Sequence, residues 1–298
     1  MYVMPQNYVF MTDSDSDLPY EIADARGIKV IQMPYAIDGK EYLDDNGRSN
    51  DPHAFFQRMR DGAVPNTSLL PTEAYLEIFE PILQEQQDIL LIAFSSKMSA
   101  TLNNAREARE ILLKKYPGRE IRIVDTLLIS APMYLLVLRA HDLYLKGASM
   151  DEIEQYVLDR RFHFQAFLTV DDLKYLKRGG RISPTTAFFG SMLDIKPLIA
   201  IGKNGLMVNI GQVKGRKKAL RTIVDSVVEN IEQPEAQEVV ILHADVEDEA
   251  RRVQETLMQR IPAIKSIRVQ AIGPVIGAHC GPGTIAICFE GKLNQVEG

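Results

Sequence analysis

Several common classes are excluded by what the sequence has little of. Only two cysteines occur, Cys280 and Cys288; they are too few and too close together to form the disulfide framework of so long a chain. A reducing cytoplasm is the expected setting. No basic region followed by an apolar stretch opens the chain, and no apolar run approaches the roughly 20 residues that span a bilayer. Secretion and stable membrane insertion are therefore not expected. Positive charge is in the minority, with 34 Lys and Arg against 40 Asp and Glu and a net charge of -6, which argues against a nucleic-acid backbone as the main partner. Basic residues are dispersed apart from "KGRKKALR" at 214–221. The five histidines are scattered with no pair at ligand spacing, so no metal site is expected. The G-K-[ST] ending of a phosphate loop and the G-x-S-x-G elbow of hydrolases are both missing. There is no internal repeat and no low-complexity segment.

What is present is a globular composition, 46% hydrophobic and 25% charged over 298 residues, enough for two cores. Along the first half, short apolar runs alternate with segments of helical period, the pattern of a parallel sheet covered by helices. "YVFMT" (8–12) predicts a first strand, "LPYEIADARG" (18–27) a helix ending on glycine, and "IKVIQMPY" (28–35) a second strand. "DILLIAF" (88–94) is apolar on both faces, as a central strand must be, and helices over 99–116 and 132–147 flank a strand at 120–125. In the second half, "PLIAIGKNGLMVNIGQV" (197–213) predicts a hairpin turning at Lys203, Asn204 and Gly205. A strand at 238–245, a helix after it, and a closing loop and apolar strand complete the pattern. The expected fold is α/β in two domains: 1–155 with a parallel sheet flanked by helices, and 156–298 a mixed-sheet α+β unit with helices on one side.

"MTDSDSDLP" (11–19) sets Asp13, Asp15 and Asp17 at alternate positions, like the first ligands of an EF-hand loop. Leu18 replaces the turn glycine, Pro19 follows, and Asp24 stands where a bidentate Glu should close the cage, so calcium is excluded. The stretch reads instead as a strand-to-helix turn in which Asp15 and Asp17 cap the helix. In open α/β sheets ligands bind beyond the carboxyl ends of strands, where Asp13, Ser95 with Ser96, and Asp125 all fall. Between a buried strand and a helix start, Ser95 and Ser96 can converge on a carboxylate or phosphate; capping by Ser96 or Ser99 fits the same spacing. "LKRGGRIS" (176–183) offers paired glycines with Arg178 and Arg181 beside them, suited to an anion, although a plain turn carries the same pattern. "GAHCGPG" (277–283) reads as a restricted loop exposing the imidazole of His279. His279 and Cys280 would point apart in extended chain, which argues against a Cys–His pair.

In their order along the chain these stretches resemble the DegV family of bacterial fatty-acid-binding proteins, also described as the lipid-binding subunits of fatty acid kinase. Residues 12–19 resemble the family's T-D-S-x-x-D-L-P, "NTSLLPT" (66–72) its T-S-x-x-P, and "SSKMSATLNNA" (95–105) its S-S-x-x-S-G-T-x-x-x-A. "VDDLKYLKRGGRIS", "LDIKPLI" and "GPVIGAHCGPG" follow in family order. The resemblance implies one long-chain fatty acid in a tunnel between two domains, with Thr67, Ser95, Ser96 and His279 holding its carboxyl group and Arg181 near that end. It also implies a separate ATP-dependent kinase as partner, acyl phosphate as product, no cofactor and no catalytic residue in this chain. Three positions depart from the pattern: Ala100 stands in place of a Gly, and Leu69 and Leu70 where polar residues are common. A stand-alone hydrolase or phosphotransferase, using Ser95 or Ser96 with His279 and Asp13 or Asp125, and a lipid-responsive regulator remain as alternatives.

Overall fold

A computed structural model of the chain describes residues 7–182 and 194–297. Ser183, which ends the "LKRGGRIS" stretch, and Leu193, which begins "LDIKPLI", lie outside the described residues. A parallel four-stranded sheet is centred on β1 (Tyr8–Asp13), whose first helix is α1 (Tyr20–Arg26). "IKVIQMPY" is not one strand. It divides into β2 (Lys29–Ile31), paired in parallel with β1, and β3 (Pro34–Ile37). The break is local: the Met33 amide donates to Ser14 Oγ at 2.9 Å, and Pro34 has no amide to continue a ladder. Instead β3 pairs antiparallel with β4 (Lys40–Leu43) and, past helix α2 (Pro52–Arg60), with β5 (Asn66–Thr67).

Helix α3 (Thr72–Gln84) leads into β6 (Asp88–Ala93), which is buried past its first residue and sits inside the order β2-β1-β6-β7, as its two-sided apolar sequence predicts. Helix α4 (Thr101–Lys115) connects it to β7 (Ile121–Asp125), and the long helix α5 (Ser130–Leu145) follows. Then comes α6 (Met150–Arg160), whose start is fixed by reciprocal bonding between Ser149 and Glu152.

The strands of a second, six-stranded sheet all come from later in the chain. They are β8 (Phe164–Thr169), β9 (Ile195–Ile201), β10 (Met207–Lys214), β11 (Glu238–His243), β12 (Ser266–Ala271) and β13 (Ile285–Glu290), in the order β10-β9-β8-β13-β11-β12. Only β11 and β12 run parallel, so the sheet is mixed. The β9–β10 hairpin turns where Lys203, Asn204 and Gly205 predict it, the Gly205 amide donating to Gly202 O at 2.9 Å.

Side chains alternate across this sheet with a period of two. Phe167, Ile285, Ile287 and Phe289 face α8 (Arg216–Asn230) and α9 (Glu247–Arg260), while Ala166, Leu168, Ala286 and Cys288 join the core around α5. The expectation of helices on one side of the mixed sheet therefore needs correcting. All six residues of β8 are buried, so a second apolar face has to be covered, and α5 covers it. The remaining helices, α7 (Lys174–Gly179) and α10 (Pro274–Cys280), pack on each other. Among the described residues, no helix is long and apolar enough to cross a membrane.

Helix α10 approaches α2 closely at Gly277, where a Cβ would stand 2.7 Å from Phe56 Cζ and 3.2 Å from Phe55 Cε1. Phe56 is fully buried and has little room to yield. Gly277→Val is expected to destabilise the protein by roughly 1–3 kcal/mol, the usual range for overpacking a core. Urea unfolding measures it, and a midpoint equal to the wild type's would show that α10 shifts freely against α2.

Candidate functional site

The turn after β1 is the first part of the site. Its side chains point inward rather than capping α1, which starts at Tyr20 with no side-chain cap, so the capping role expected for Asp15 and Asp17 is not what they do. Asp13 Oδ2 accepts the Phe94 amide at 2.9 Å and so ties β1 to the end of β6. Asp17, at φ 54, turns its carboxyl toward α10: Oδ1 accepts the Gly273 amide at 2.9 Å, and Oδ2 accepts the Ser130 hydroxyl. Asp44 joins from the segment after β4, its Oδ2 accepting the Val275 amide at 3.4 Å. These two carboxylates occupy the amide end of α10, which leaves no room for a side chain at Gly273: a Cβ there would lie 2.7 Å from Asp17 Oδ1 and 2.9 Å from Asp44 Oδ2.

Helix α10 carries His279, which "GAHCGPG" predicts on an exposed loop. The structure corrects this. Pro274 supplies a preorganised first helical residue, and the chain leaves the helix only at Gly281, with φ 76. His279 is consequently held inward, its Nε2 2.9 Å from Thr67 Oγ1. Burial, and then the charges of Arg181 and Arg178, push its pKa down to about 4, so the imidazole is neutral at physiological pH.

Arg181 reaches the same place from the end of α7. Its Nε donates to Met98 O at 3.0 Å, and a terminal nitrogen donates to Gly179 O. The paired glycines have distinct roles: Gly180 ends α7 at φ 66, and Gly179 makes room for the imidazole, since a Cβ there would stand 2.4 Å from His279 Nδ1.

Thr67, Arg181 and His279 line one cavity together with Asp15 and Ser99. A second, almost wholly apolar cavity shares Ile129, Met207 and Ile276 with it and continues between α5, α10 and the six-stranded sheet, past Ala166, Ala286 and Cys288. The volumes are small, about 50 Å³ and 30 Å³. Larger grooves, of about 640 Å³ beside α1 and about 860 Å³ beside α8 and α9, contain none of the five residues expected at the site.

Ser95 and Ser96 are not on this cavity. Ser95 is fully buried and its hydroxyl donates to Gly205 O at 2.9 Å, fastening the end of β6 to the β9–β10 hairpin. The Ser96 amide donates to Asp125 Oδ1 at 3.2 Å. The partner of His279 is a threonine, and among the described hydrogen bonds no serine or carboxylate reaches its ring, so no Ser–His–Asp relay is assembled.

Asp15, Ser68, Ser99 and Thr101 are the polar cavity residues that sequence reasoning missed in this role. Asp15 is 4% exposed, and its Oδ1 has no hydrogen-bond partner. Burial pushes Asp13 and Asp44 up to about 7 and Asp17 up to about 6. Asp15 rises well above the usual carboxylate range through burial and the charges of Asp13, Asp44 and Asp17, with Arg181 opposing. Among the described residues no group of three His, Cys, Asp or Glu side chains is arranged to hold a metal.

Gly179→Ala is expected to push the imidazole out of its place beside Thr67. Nitrogen-detected NMR of the histidine rings should then show His279 titrating closer to its ordinary value, roughly 6.5, than to the value near 4 that the buried ring has. An unchanged titration would mean that the ring does not depend on Gly179 for room.

With this geometry in hand, comparison with known proteins is direct. A family model described as "Uncharacterised protein, DegV family" matches residues 8–292. A DegV domain-containing protein of Clostridium perfringens is 37% identical over 290 residues, covering 97% of this chain and 99% of its own length. One from Caldanaerobacter subterraneus is 31% identical over 287 residues, covering 96% and 100%. Among solved structures, a DegV family protein from Thermus thermophilus described by its fatty acid binding has a TM-score of 0.82 at 28% identity, over 95% of this chain and 99% of its own. DegV of Bacillus subtilis, described as a fatty acid binding protein, has a TM-score of 0.82 at 26% identity, over 96% and 100%. Matched almost end to end in both sequence and fold, the chain belongs to the DegV family.

Proposed function

We propose that this protein binds a long-chain fatty acid, with the carboxylate at Thr67, His279 and Arg181 and the acyl tail beneath the six-stranded sheet. The observation that carries this reading is the adjacency of two cavities, one with a polar end and one apolar, which share the lining residues Ile129, Met207 and Ile276. An amphiphile with one anionic end matches that division. A carboxylate taken out of water needs donors to offset its desolvation, and a hydroxyl, an imidazole and a guanidinium are at hand. Ser95 acts one step away, by holding the hairpin from which Met207 reaches the neck between the cavities. The structures from Thermus thermophilus and Bacillus subtilis, both described by fatty acid binding, support the same assignment.

The cavities are far smaller than the roughly 300–1,000 Å³ of ordinary ligand sites. Filling them requires the neck residues to part, which the flexible side chain of Met207 favours. Native mass spectrometry should find about one long-chain acid per chain, co-purified or taken up from oleate. A charge-assisted hydrogen bond is worth roughly 1.5–3 kcal/mol, so His279→Ala should weaken binding by about ten- to a hundredfold. A protein that remains empty after incubation with oleate and palmitate would contradict the assignment.

The finer part of the reading is that the bound acid is presented to a separate ATP-dependent kinase, which converts it to an acyl phosphate. The absence of a G-K-[ST] phosphate loop in the sequence supports this division of labour. Alone, the protein should make no acyl phosphate from ATP and oleate; with a bacterial fatty acid kinase catalytic subunit it should. Acyl phosphate formed by this chain alone would overturn the presenting role.

A further inference from the structure

One buried group at the polar end of the cavity has no part in the scheme above. Asp15 Oδ1 has no hydrogen-bond partner although the residue is 4% exposed, and the side chain lines the same cavity as Thr67, Arg181 and His279. A buried polar atom left unpaired is costly and therefore informative. Its alternating neighbours Asp13 and Asp17 each accept a backbone amide, from Phe94 and Gly273, and Asp13 Oδ1 is likewise unpartnered but does not line the cavity.

The charges around Asp15 are unbalanced. Asp13 and Asp17 face it from its own turn and Asp44 from the segment after β4. From α3, the Tyr75 phenol responds to it as a neutral group. Among the described residues Arg181 is the cation that acts on it, and His279, on α10, is neutral. A ligand carboxylate entering this cavity therefore becomes a second anion beside a single guanidinium. Two carboxyl groups in that position do not both stay ionised.

Resting on the fatty-acid reading, we propose that Asp15 and the ligand carboxyl share one proton, so that head-group capture draws a proton from solvent onto Asp15. The balance is simple: RCOO⁻, the Asp15 carboxylate and one H⁺ become RCOO⁻ hydrogen-bonded by the Asp15 carboxylic acid, and no other bond changes. The proton resides on Asp15 because three further carboxyl groups crowd that side of the pair. The ligand keeps its charge and faces Thr67, His279 and Arg181. Asp15 thereby acts as a positioning group: as a neutral acid it donates a hydrogen bond to the ligand carboxylate.

The sign for pH follows from linkage. Binding that raises the proton affinity of Asp15 is tightest where Asp15 is already protonated, and weakens as pH rises between its values in the free and bound protein. Within that window the dissociation constant should rise by up to about tenfold per pH unit, the limit for one proton. Calorimetric titration with oleate from pH 6 to 9.5, in pairs of buffers differing in ionisation enthalpy, counts the protons taken up. The wild type should take up as much as one proton per oleate. Asp15→Asn should take up none, show a flat affinity across the range, and bind more tightly than wild type at the alkaline end. Asp15→Ala should likewise take up none, and thermal unfolding checks that both variants fold. Proton uptake absent from the wild type at every pH, or equal in wild type and Asp15→Asn, overturns the inference and leaves the fatty-acid reading standing. A wild type that binds no oleate overturns both.

Discussion

The bond from the Gly273 amide to the Asp17 carboxylate is the contact on which the site depends, because it fixes the helix that carries His279. Helix α10 has only seven residues, too few to be stable by itself, and its free amides need acceptors. Asp17 and Asp44 supply them from the earlier part of the chain. Asp17 also accepts the Ser130 hydroxyl at the start of α5, and its own carbonyl accepts Gln270 Nε2 at 2.9 Å, at the end of β12. A single residue in the turn after β1 therefore binds to the helix between the sheets, to an edge strand of the second sheet and to α10. The side chain that positions the imidazole and the segments that close the cavity belong to one hydrogen-bonded unit.

Such a unit is built from groups that resist burial. A carboxylate withdrawn from water loses several kcal/mol of hydration unless donors replace it, and Asp13, Asp17 and Asp44 all keep values near neutrality despite their backbone donors. Placing four aspartates together adds mutual repulsion, which, with burial, raises Asp15 well above the usual carboxylate range, and its Oδ1 is left unpaired at the cavity. On the other side, the same burial and the two arginines keep His279 uncharged. Among the described residues the cavity thus has one cation in its lining, Arg181, beside a neutral imidazole and a carboxyl group of high proton affinity. That combination is poor for a cationic ligand, and it suits a monoanion better than a dianion.

Much of the fold is legible in the sequence because apolar periodicity reports burial. β6 and α4 lie where their patterns place them, and the Lys203, Asn204, Gly205 turn is read correctly from turn chemistry. The failures share a cause, which is tertiary contact overriding a local rule. "IKVIQMPY" looks like one strand, yet a side chain from another turn, Ser14, takes the Met33 amide and splits it. "GAHCGPG" looks like a loop because glycine and proline disfavour helix interiors; Gly277 is retained because the rings of Phe55 and Phe56 press against α10. The grouping of the candidate residues is legible only in part. Thr67, Arg181 and His279 meet as expected, whereas Ser95 spends its hydroxyl on Gly205. Spacing places a hydroxyl at a strand end without saying which of two facing partners it will choose.

That choice by Ser95 links the polar end of the site to its interior. Met207, at the neck, is the first residue of β10, two positions after the Gly205 whose carbonyl Ser95 holds. It is also bridged in parallel with Ile182, the residue after Arg181. The side chain shared by the two cavities is thereby tied through short backbone segments to the serine loop on one side and to Arg181 on the other. Interiors packed this densely do not deform continuously, so an acyl tail entering past Met207, as proposed, would displace a segment bonded to both loops. Under the fatty-acid proposal, occupation of the apolar cavity and geometry at the polar end are therefore coupled through Met207.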